Sequence, residues 1–529
     1  MIPTYPCRDD VGDLIVLHLT GSYREMGRQQ VDLLGETAFA VAALNREAWG
    51  RLIKSYGPLA KAADLLLPAF WMGPYRRFEG SALYEEIAGI ADGLGVSGTA
   101  GWRSAFGFLG SGSTMFFARG KATADGQPIV GKNSDWADAD GVRRPVVTVY
   151  HPAGGGLEYI TAGWPLLPAT AITLNAAGVS ICMNFFNADS VLGLGLVQWP
   201  WRRAVQTARS TADVIALFKA ARHGGMSGFF GISDAAGDIA LIETTPKRMA
   251  VYRPDGDWFG QANHARTAEM IPHDRGRSLD SSMRGAAIDH AVAERVGRIS
   301  PTTASEIMRD RSNTAYAADS SVGNPAVLNS AVIQPASRIL WHSTSKQPLA
   351  PFGEMVGFSL AGDQPSPLPA DPGFLNGGFE VERSVLEEAR GASRLFTAGQ
   401  YDGALAAFDR LRETGMVLDP RRLQWSRARC LWAVGRLHEA LELLEALGGE
   451  GSPFDVRANA TVASAVVCDR LGLRAEALAR YEKGQQVLAE HTEFNDGLIA
   501  PLGRRISSGL QAPHNADAWE FPGLQRIAV

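Results

Sequence analysis

From Ser113 to Phe186 the chain reads "STMFFARGKAT", "QPIVGKNSDW", "VVTVYHP", "LEYITA", "ATAITLN" and "GVSICMNFF", one short apolar stretch after another with Gly-containing turns between them. Short runs of this kind, bounded by turn residues, read as strands. The segments around them behave differently. "LIVLHL" near the start is a further strand, and "SYREMGRQQVDLLGETAFAVAALNREAW" carries apolar residues at helical spacing and predicts one long helix. "SALYEEIAGIADGLG" predicts another, closed by Gly95 at its C-cap. "RRAVQTARSTADVIALFKAA" predicts a helix with Ser210 and Thr211 near an internal N-cap, and "GFFGISDAAGDIALIETTPKRMAVYR" predicts strands split by an Asp-Ala-Ala-Gly turn. Helices, a run of strands, helices and strands again suggest antiparallel sheets with helices packed outside them, an α+β class and not a doubly wound parallel sheet.

The last third is of another kind. "RLFTAGQYDGALAAFDRL", "CLWAVGRLHEALELLEAL" and "VCDRLGLRAEALARYEKG" stack on one another, with Gly399, Gly435 and Gly472 falling 36 and then 37 residues apart. Ala404, Ala440 and Ala477 keep the same intervals. An apolar helical pattern precedes each Gly and a second follows it, so the unit is helix-turn-helix. The stretch resembles tetratricopeptide repeats with incomplete Trp and Pro markers, and three units are about the minimum for a stable stack. "AGDQPSPLPADPGFLNGG", rich in Pro, Gly and Asp, has the composition of a boundary. The expected organisation is a domain over 1–362, a linker over 363–380, an all-α helical-repeat domain over 381–490 and a tail over 491–529.

With 529 residues the chain is too long for one core. Hydrophobic residues at 46% and charged residues at 20% are ordinary for a globular protein, and a formal net charge of −5 argues against a nucleic-acid binder. The start of the sequence lacks a basic region followed by an apolar one, and no apolar run is long enough to span a bilayer, so neither a signal peptide nor a membrane segment is expected. Cys7, Cys182, Cys430 and Cys468 lie far apart and form no Cys-x-x-Cys pair. Reduced thiols in the cytoplasm, and no zinc site, are the expectation.

The chemistry concentrates at the head of the strand run. Gly112-Ser113-Thr114, then "MFFARGKATADG", then "GKNSDW" resembles the pattern of the acyl-coenzyme A:6-aminopenicillanic acid acyltransferase family of N-terminal-nucleophile hydrolases. That pattern is Gly-Cys-(Ser/Thr), a short strand, a Thr-x-Asp-Gly turn and Gly-(Arg/Gln/His)-Asn-x-Asp-Trp. In many members the turn Gly lies 13 residues after the nucleophile, and counting back from Gly126 lands on Ser113. "GSYREMGRQQ" from Gly21, "LNAAGVSICMN" from Leu174, "ANHA" from Ala262 and "SSMR" from Ser281 resemble further family elements in the same order. The resemblance runs over roughly residues 12 to 360. It departs at one place: the family nucleophile is usually Cys, and here the position holds Ser113. The residue is a natural Ser nucleophile, a replacement for Cys, or the mark of a degenerate enzyme.

The resemblance implies a four-layer αββα sandwich that cleaves itself between Gly112 and Ser113 and then uses Ser113 as an N-terminal nucleophile. Gly at the scissile position permits strained backbone conformations. The freed α-amine, with an ordinary pKa of about 7.7–8.0, suits a base near neutral pH. By the same resemblance Asp135 orients the nucleophile and its amine, Asn263 contributes to an oxyanion hole, and Arg284 stabilises the site or binds a substrate carboxylate. Asn133 and Asn175 are further substrate-binding candidates, each with the competing reading of a structural turn residue. His342 has no triad partner at a supporting spacing and is read as structural. "WPWRRA" at Trp199–Arg203 is read as core aromatics with solvated arginines, against the alternative of a substrate mouth.

The leading expectation is therefore an autoprocessing amidohydrolase or acyltransferase acting on a small-molecule or peptide amide, with no cofactor and no metal. A protein partner or self-association is expected only through the helical repeats, and neither nucleic acid nor membrane. The competing reading is an inactive or trapped precursor serving as a tetratricopeptide scaffold. A Ser-His-Asp hydrolase is disfavoured because no Gly-x-Ser-x-Gly elbow is present.

Overall fold

The computed structural model describes residues 5–54, 57–59, 62, 66, 82–105, 112–136, 144–167, 171–189, 198–221, 227–275, 277–311, 321–362, 364–414, 420–490 and 498–513. Gly110 and Ser111, which precede the candidate junction, lie outside them. The chain divides into two units, one of residues 1–274, 284–310 and 322–372, the other of 275–283, 311–321 and 373–529.

The first unit is built on two sheets. The larger has nine strands in the order β1 (Cys7–Arg8), β2 (Ile15–Gly21), β5 (Val146–Pro152), β6 (Tyr159–Gly163), β7 (Ile172–Asn175), β8 (Ser180–Phe185), β9 (Gly228–Ser233), β10 (Ile239–Thr244) and β11 (Met249–Tyr252). Its neighbours are antiparallel except β2 and β5, which run parallel. The smaller has six strands in the order β12 (Trp258–Gln261), β3 (Ser113–Ala118), β4 (Ile129–Asp135), β13 (Val327–Gln334), β14 (Ile339–Ser343) and β15 (Met355–Ser359), all paired antiparallel. The strand run of the sequence is thus shared out: β3 and β4 go to one sheet, β5 to β8 to the other.

Side chains alternate across a strand, and the alternation sorts the core. Met115, Phe117 and Val130 of the small sheet meet Ile160, Ile172, Leu174, Cys182 and Leu241 of the large one in a core between the sheets. The opposite face of the small sheet carries Phe116, Ala118 and Ile129, which pack with Ile288, Ala291, Ile307 and Met308 from the helices Leu279–Ala293 and Pro301–Met308. The other face of the large sheet takes Tyr150, Ile181, Met183 and Phe230 against apolar residues of the helices Tyr23–Leu34, Ala82–Leu94 and Thr211–Ala220.

Two expected helices are broken. The long one after "LIVLHL" is two, Tyr23–Leu34 and Glu36–Lys54, because Gly35 adopts φ +55° and directs the chain out of the first while its N–H returns to the Val31 carbonyl. The one containing Ser210 is also two, Gln198–Thr207 and Thr211–Ala220. There the Ser210 side chain accepts from the Asp213 N–H and starts a fresh helix. Of the arginines expected in solvent beside Trp201, Arg203 is exposed, but Arg202 is buried at 2% exposure and pairs with Glu86.

In the second unit, consecutive helices run from Glu380–Thr397 through Tyr401–Thr414, Pro420–Ala433, Leu437–Leu447 and Phe454–Arg470 to Arg474–Ala489. Gly399, Gly435 and Gly472 stand in connections between them at φ +77°, +82° and +76°, a region only Gly enters freely. Ala404, Ala440 and Ala477 are fully buried. In the expected tail, the helix Ala500–Gln511 buries Leu502 and Ile506 in the same core as Tyr481; residues 491–497 and 514–529 lie outside the described residues. Among the described residues, no helix is long and apolar enough to cross a membrane.

Candidate active site

Strand β3 begins at Ser113, which stands opposite Ser134 of β4, with Thr114 opposite Asn133. This register closes polar groups around the Gly112–Ser113 peptide. The Gly112 carbonyl accepts the Asp135 backbone N–H at 2.9 Å. The Ser113 N–H donates to Asn263 Oδ1 at 2.7 Å, and the Ser113 carbonyl accepts from Arg284 Nη1 at 2.6 Å. The carbonyl before the Ser113 nitrogen, that nitrogen and the carbonyl after it each have a fixed partner.

Arg284 reaches in from the helix Leu279–Ala293. Its guanidinium also donates to Thr114 Oγ1 at 3.0 Å and to Asn263 Oδ1 at 2.9 Å, and it lies 3.8 Å from the Asp135 carboxylate. Both side chains are only 1% exposed, so their charges meet with little water between them. Asn263 follows β12. Its oxygen faces Ser113 N–H and Arg284, and its amide donates to the Phe185 carbonyl at 2.9 Å.

Ser113, Asp135, Asn263 and Arg284 are therefore brought together from four separate parts of the chain. Asn133 and Asn175 are not part of that set. The Asn133 amide is committed to the carbonyls of Met308 and Val322, at 2.8 and 2.9 Å, where it joins β4 to the helix end beside it. Asn175 uses both ends on backbone: its amide donates to Val205 and Ala208 carbonyls, and its oxygen accepts the N–H groups of Ala177 and Val179. That is the chemistry of a turn asparagine. His342 lies buried in β14 between the Ser343 carbonyl and Asn329, and burial lowers it to about 4.

Two side chains that sequence reasoning passed over stand at the same junction. Lys132 is fully buried, and its amine donates to the Asn133 carbonyl at 2.8 Å and to Asn184 Oδ1 at 2.9 Å. The Asn184 amide donates to the carbonyls of Ala262, Gln261 and Ser113 at 2.7, 3.0 and 3.4 Å. The sequence signal for Lys132 was its place in "IVGKNSD", a strand in which alternation sends the lysine to the same face as Val130. Among the described residues, no group of three or more His, Cys, Asp or Glu gathers where it could hold a metal ion.

The family model described as acyl-coenzyme A:6-aminopenicillanic acid acyl-transferase matches residues 122–347. This span includes Asp135, Asn263 and Arg284 and begins after Ser113. The search of curated proteins returned no match. Solved structures similar to the chain include the Caenorhabditis elegans N-acylethanolamine-hydrolyzing acid amidase ortholog, at 12% identity and TM-score 0.31 over 42% of this chain and 93% of that one. A mutant conjugated bile acid hydrolase from Clostridium perfringens aligns at 11% identity and TM-score 0.34 over 48% and 93%. Penicillin V acylase from Agrobacterium tumefaciens aligns at 11% and 0.31 over 47% and 86%.

Proposed function

We propose that the chain is an autoprocessing amidohydrolase or acyltransferase of the N-terminal-nucleophile type, with Ser113 as the nucleophile on an αββα frame. The observation that carries this reading is the treatment of the Gly112–Ser113 peptide. Its carbonyl oxygen faces a fixed N–H donor from Asp135, and its nitrogen is held by Asn263. A donor placed where negative charge develops lowers the barrier to attack on that carbonyl.

In this reading Ser113 Oγ attacks the Gly112 carbonyl carbon, the C–N bond breaks, and an ester joins Gly112 to Ser113 Oγ. Water then hydrolyses the ester and leaves a free α-amine on Ser113. A substrate amide would be opened at the same junction through an acyl-enzyme on Ser113, with water as acceptor giving hydrolysis and an amine giving a new amide. Arg284 holds the Ser113 carbonyl and the Asn263 side chain, so it keeps the strand head in place through the cycle. The match of residues 122–347 to an acyl-transfer family supports an amide or activated acyl group as substrate.

A hydroxyl is a weak nucleophile without a base. That favours a second reading, in which the chain with Ser113 is an uncleaved precursor and the helical repeats recruit a partner. Intact-mass measurement on freshly purified protein separates the two. Two fragments, 1–112 and 113–529, with cleavage abolished in Ser113→Ala, support the enzyme. A single chain that stays whole in both the wild type and Ser113→Cys, without amidase activity, supports the scaffold.

A further inference from the structure

We propose that Lys132 takes the Ser113 hydroxyl proton in the uncleaved chain, as a neutral amine held between the two sheets by Asn184. The inference rests on the reading of Ser113 as nucleophile and supplies the base that reading lacks. Before cleavage the Ser113 nitrogen is an amide donating to Asn263, so it has no basic lone pair to offer.

The two sides of the small sheet then decide between the remaining candidates. Ser113 pairs with Ser134, so its side chain shares the inter-sheet face with Ser134, Lys132 and Met115. Thr114, Asn133 and Asp135 point to the helix side, where Arg284 binds Thr114 and faces Asp135. The Asp135 carboxylate is thus on the wrong face and committed to a cation. Lys132 occupies the position diagonal to Ser113 across the β3–β4 pair, a separation that long side chains span.

The surroundings of Lys132 suit an uncharged amine. Among the described residues its hydrogen-bond partners are two neutral oxygens, the Asn133 carbonyl and Asn184 Oδ1. Asn184 must present its oxygen, because its amide is engaged by three carbonyls. A neutral amine satisfies both acceptors with its two hydrogens and keeps its lone pair for a third partner. Burial pulls the amine down to about 7; Cys182 and Asp135 resist the fall and Arg284 adds to it. Cys182 itself is pushed up to about 12 by burial and remains a thiol.

The step balances without an outside reagent. The Lys132 lone pair accepts the Ser113 Oγ proton as Oγ bonds to the Gly112 carbonyl carbon, and the carbonyl electron pair moves to the oxygen held by Asp135 N–H. Collapse restores the carbonyl and breaks the C–N bond, and the Lys132 ammonium returns its proton to the departing Ser113 nitrogen. The products are the ester, the free α-amine and a neutral lysine.

The test follows cleavage of cell-free-synthesised full chain by intact mass across about pH 5.5 to 9. Wild-type cleavage is expected to rise through an inflection near pH 7 and then level off. Lys132→Met, and Lys132→Arg with its permanent charge, are expected to cleave at least about 100-fold more slowly. Circular dichroism establishes that each variant is folded. Added propylamine is expected to restore cleavage to Lys132→Ala, with a pH profile set by the added amine. If the wild type cleaves and Lys132→Met keeps pace with it, the Ser113 reading stands and the Lys132 assignment is overturned. If the wild type stays whole at every pH, the Ser113 reading fails and the Lys132 assignment fails with it.

Discussion

Asn184 ties Lys132 to the Gly112–Ser113 junction, accepting the lysine amine on its oxygen at 2.9 Å and donating its amide to the Ser113 carbonyl at 3.4 Å. Asn184 belongs to β8 of the nine-stranded sheet, whereas Lys132 and Ser113 belong to the six-stranded one. One side-chain amide therefore spans the inter-sheet core at the point where the candidate nucleophile stands. Both ends of that amide are engaged, the oxygen by Lys132 and the nitrogen by three carbonyls, which offsets the cost of burying it.

The buried lysine makes stability depend on pH whether or not the chain is an enzyme. Its amine is lowered from 10.5 to about 7 in the fold, so between those values the unfolded chain holds the extra proton. Stability from this group is complete above the unfolded value, falls as pH falls towards 7, and is flat below. Relative to Lys132→Met, the wild type is expected to lose about 1.4 kcal/mol per pH unit on going from about pH 9 to 7.5. Urea unfolding of both proteins across that range measures the slope.

Arg284 carries the junction from the helix side. Arg284→Met removes the donors to Ser113, Thr114 and Asn263 and leaves Asp135 buried without its cation. Breaking a buried pair on one side costs about 3 kcal/mol. The expected result is a lower unfolding midpoint together with loss of self-cleavage. Arg284→Lys keeps the charge without the planar fork and is expected to recover stability more fully than cleavage. Unfolding curves and intact mass on the same samples check both.

A second buried cation lies outside the junction. Arg202 pairs with Glu86, which also accepts from Tyr150 Oη at 2.7 Å and Gln30 Nε2 at 2.5 Å, and the guanidinium sits 4.8 and 5.0 Å from the Tyr150 and Tyr159 ring centroids. Glu86→Gln is expected to destabilise the chain by about 3–5 kcal/mol because Arg202 stays buried and charged. The double variant Glu86→Leu, Arg202→Met is expected to recover most of that loss. A double-mutant cycle on unfolding free energies gives the coupling directly.

His342 predicts an acid-side effect. Burial lowers it from 6.5 to about 4, so the folded chain holds fewer protons than the unfolded one between those values, and stability falls as pH drops through that window. Over the whole window the loss is about 3 kcal/mol. His342→Gln is expected to flatten that part of the stability profile, as read by thermal unfolding between about pH 4 and 7.

The strands around Ser113 were legible because each is a short apolar run with its own turn, and the place of Ser113 at the head of β3 was legible through the motif around it. The helix breaks at Gly35 and Ser210 were harder to read, because apolar spacing continues across both while a single backbone angle or cap ends the helix. Asn133 and Asn175 sit in motif positions, yet nearby backbone groups absorb their amides.

By itself, the sequence determined the strand run from Ser113 to Phe186, the Gly turns at Gly399, Gly435 and Gly472, and that a hydroxyl rather than a thiol heads β3. Only the tertiary structure decided which polar groups meet there. Ser113 bonds partners 71, 150 and 171 residues away, in Asn184, Asn263 and Arg284. Local propensity acts over a few residues and is blind to such pairs. Strand register, fixed by which apolar face each strand must bury, puts Lys132 on the Ser113 side of the sheet and Asp135 on the other.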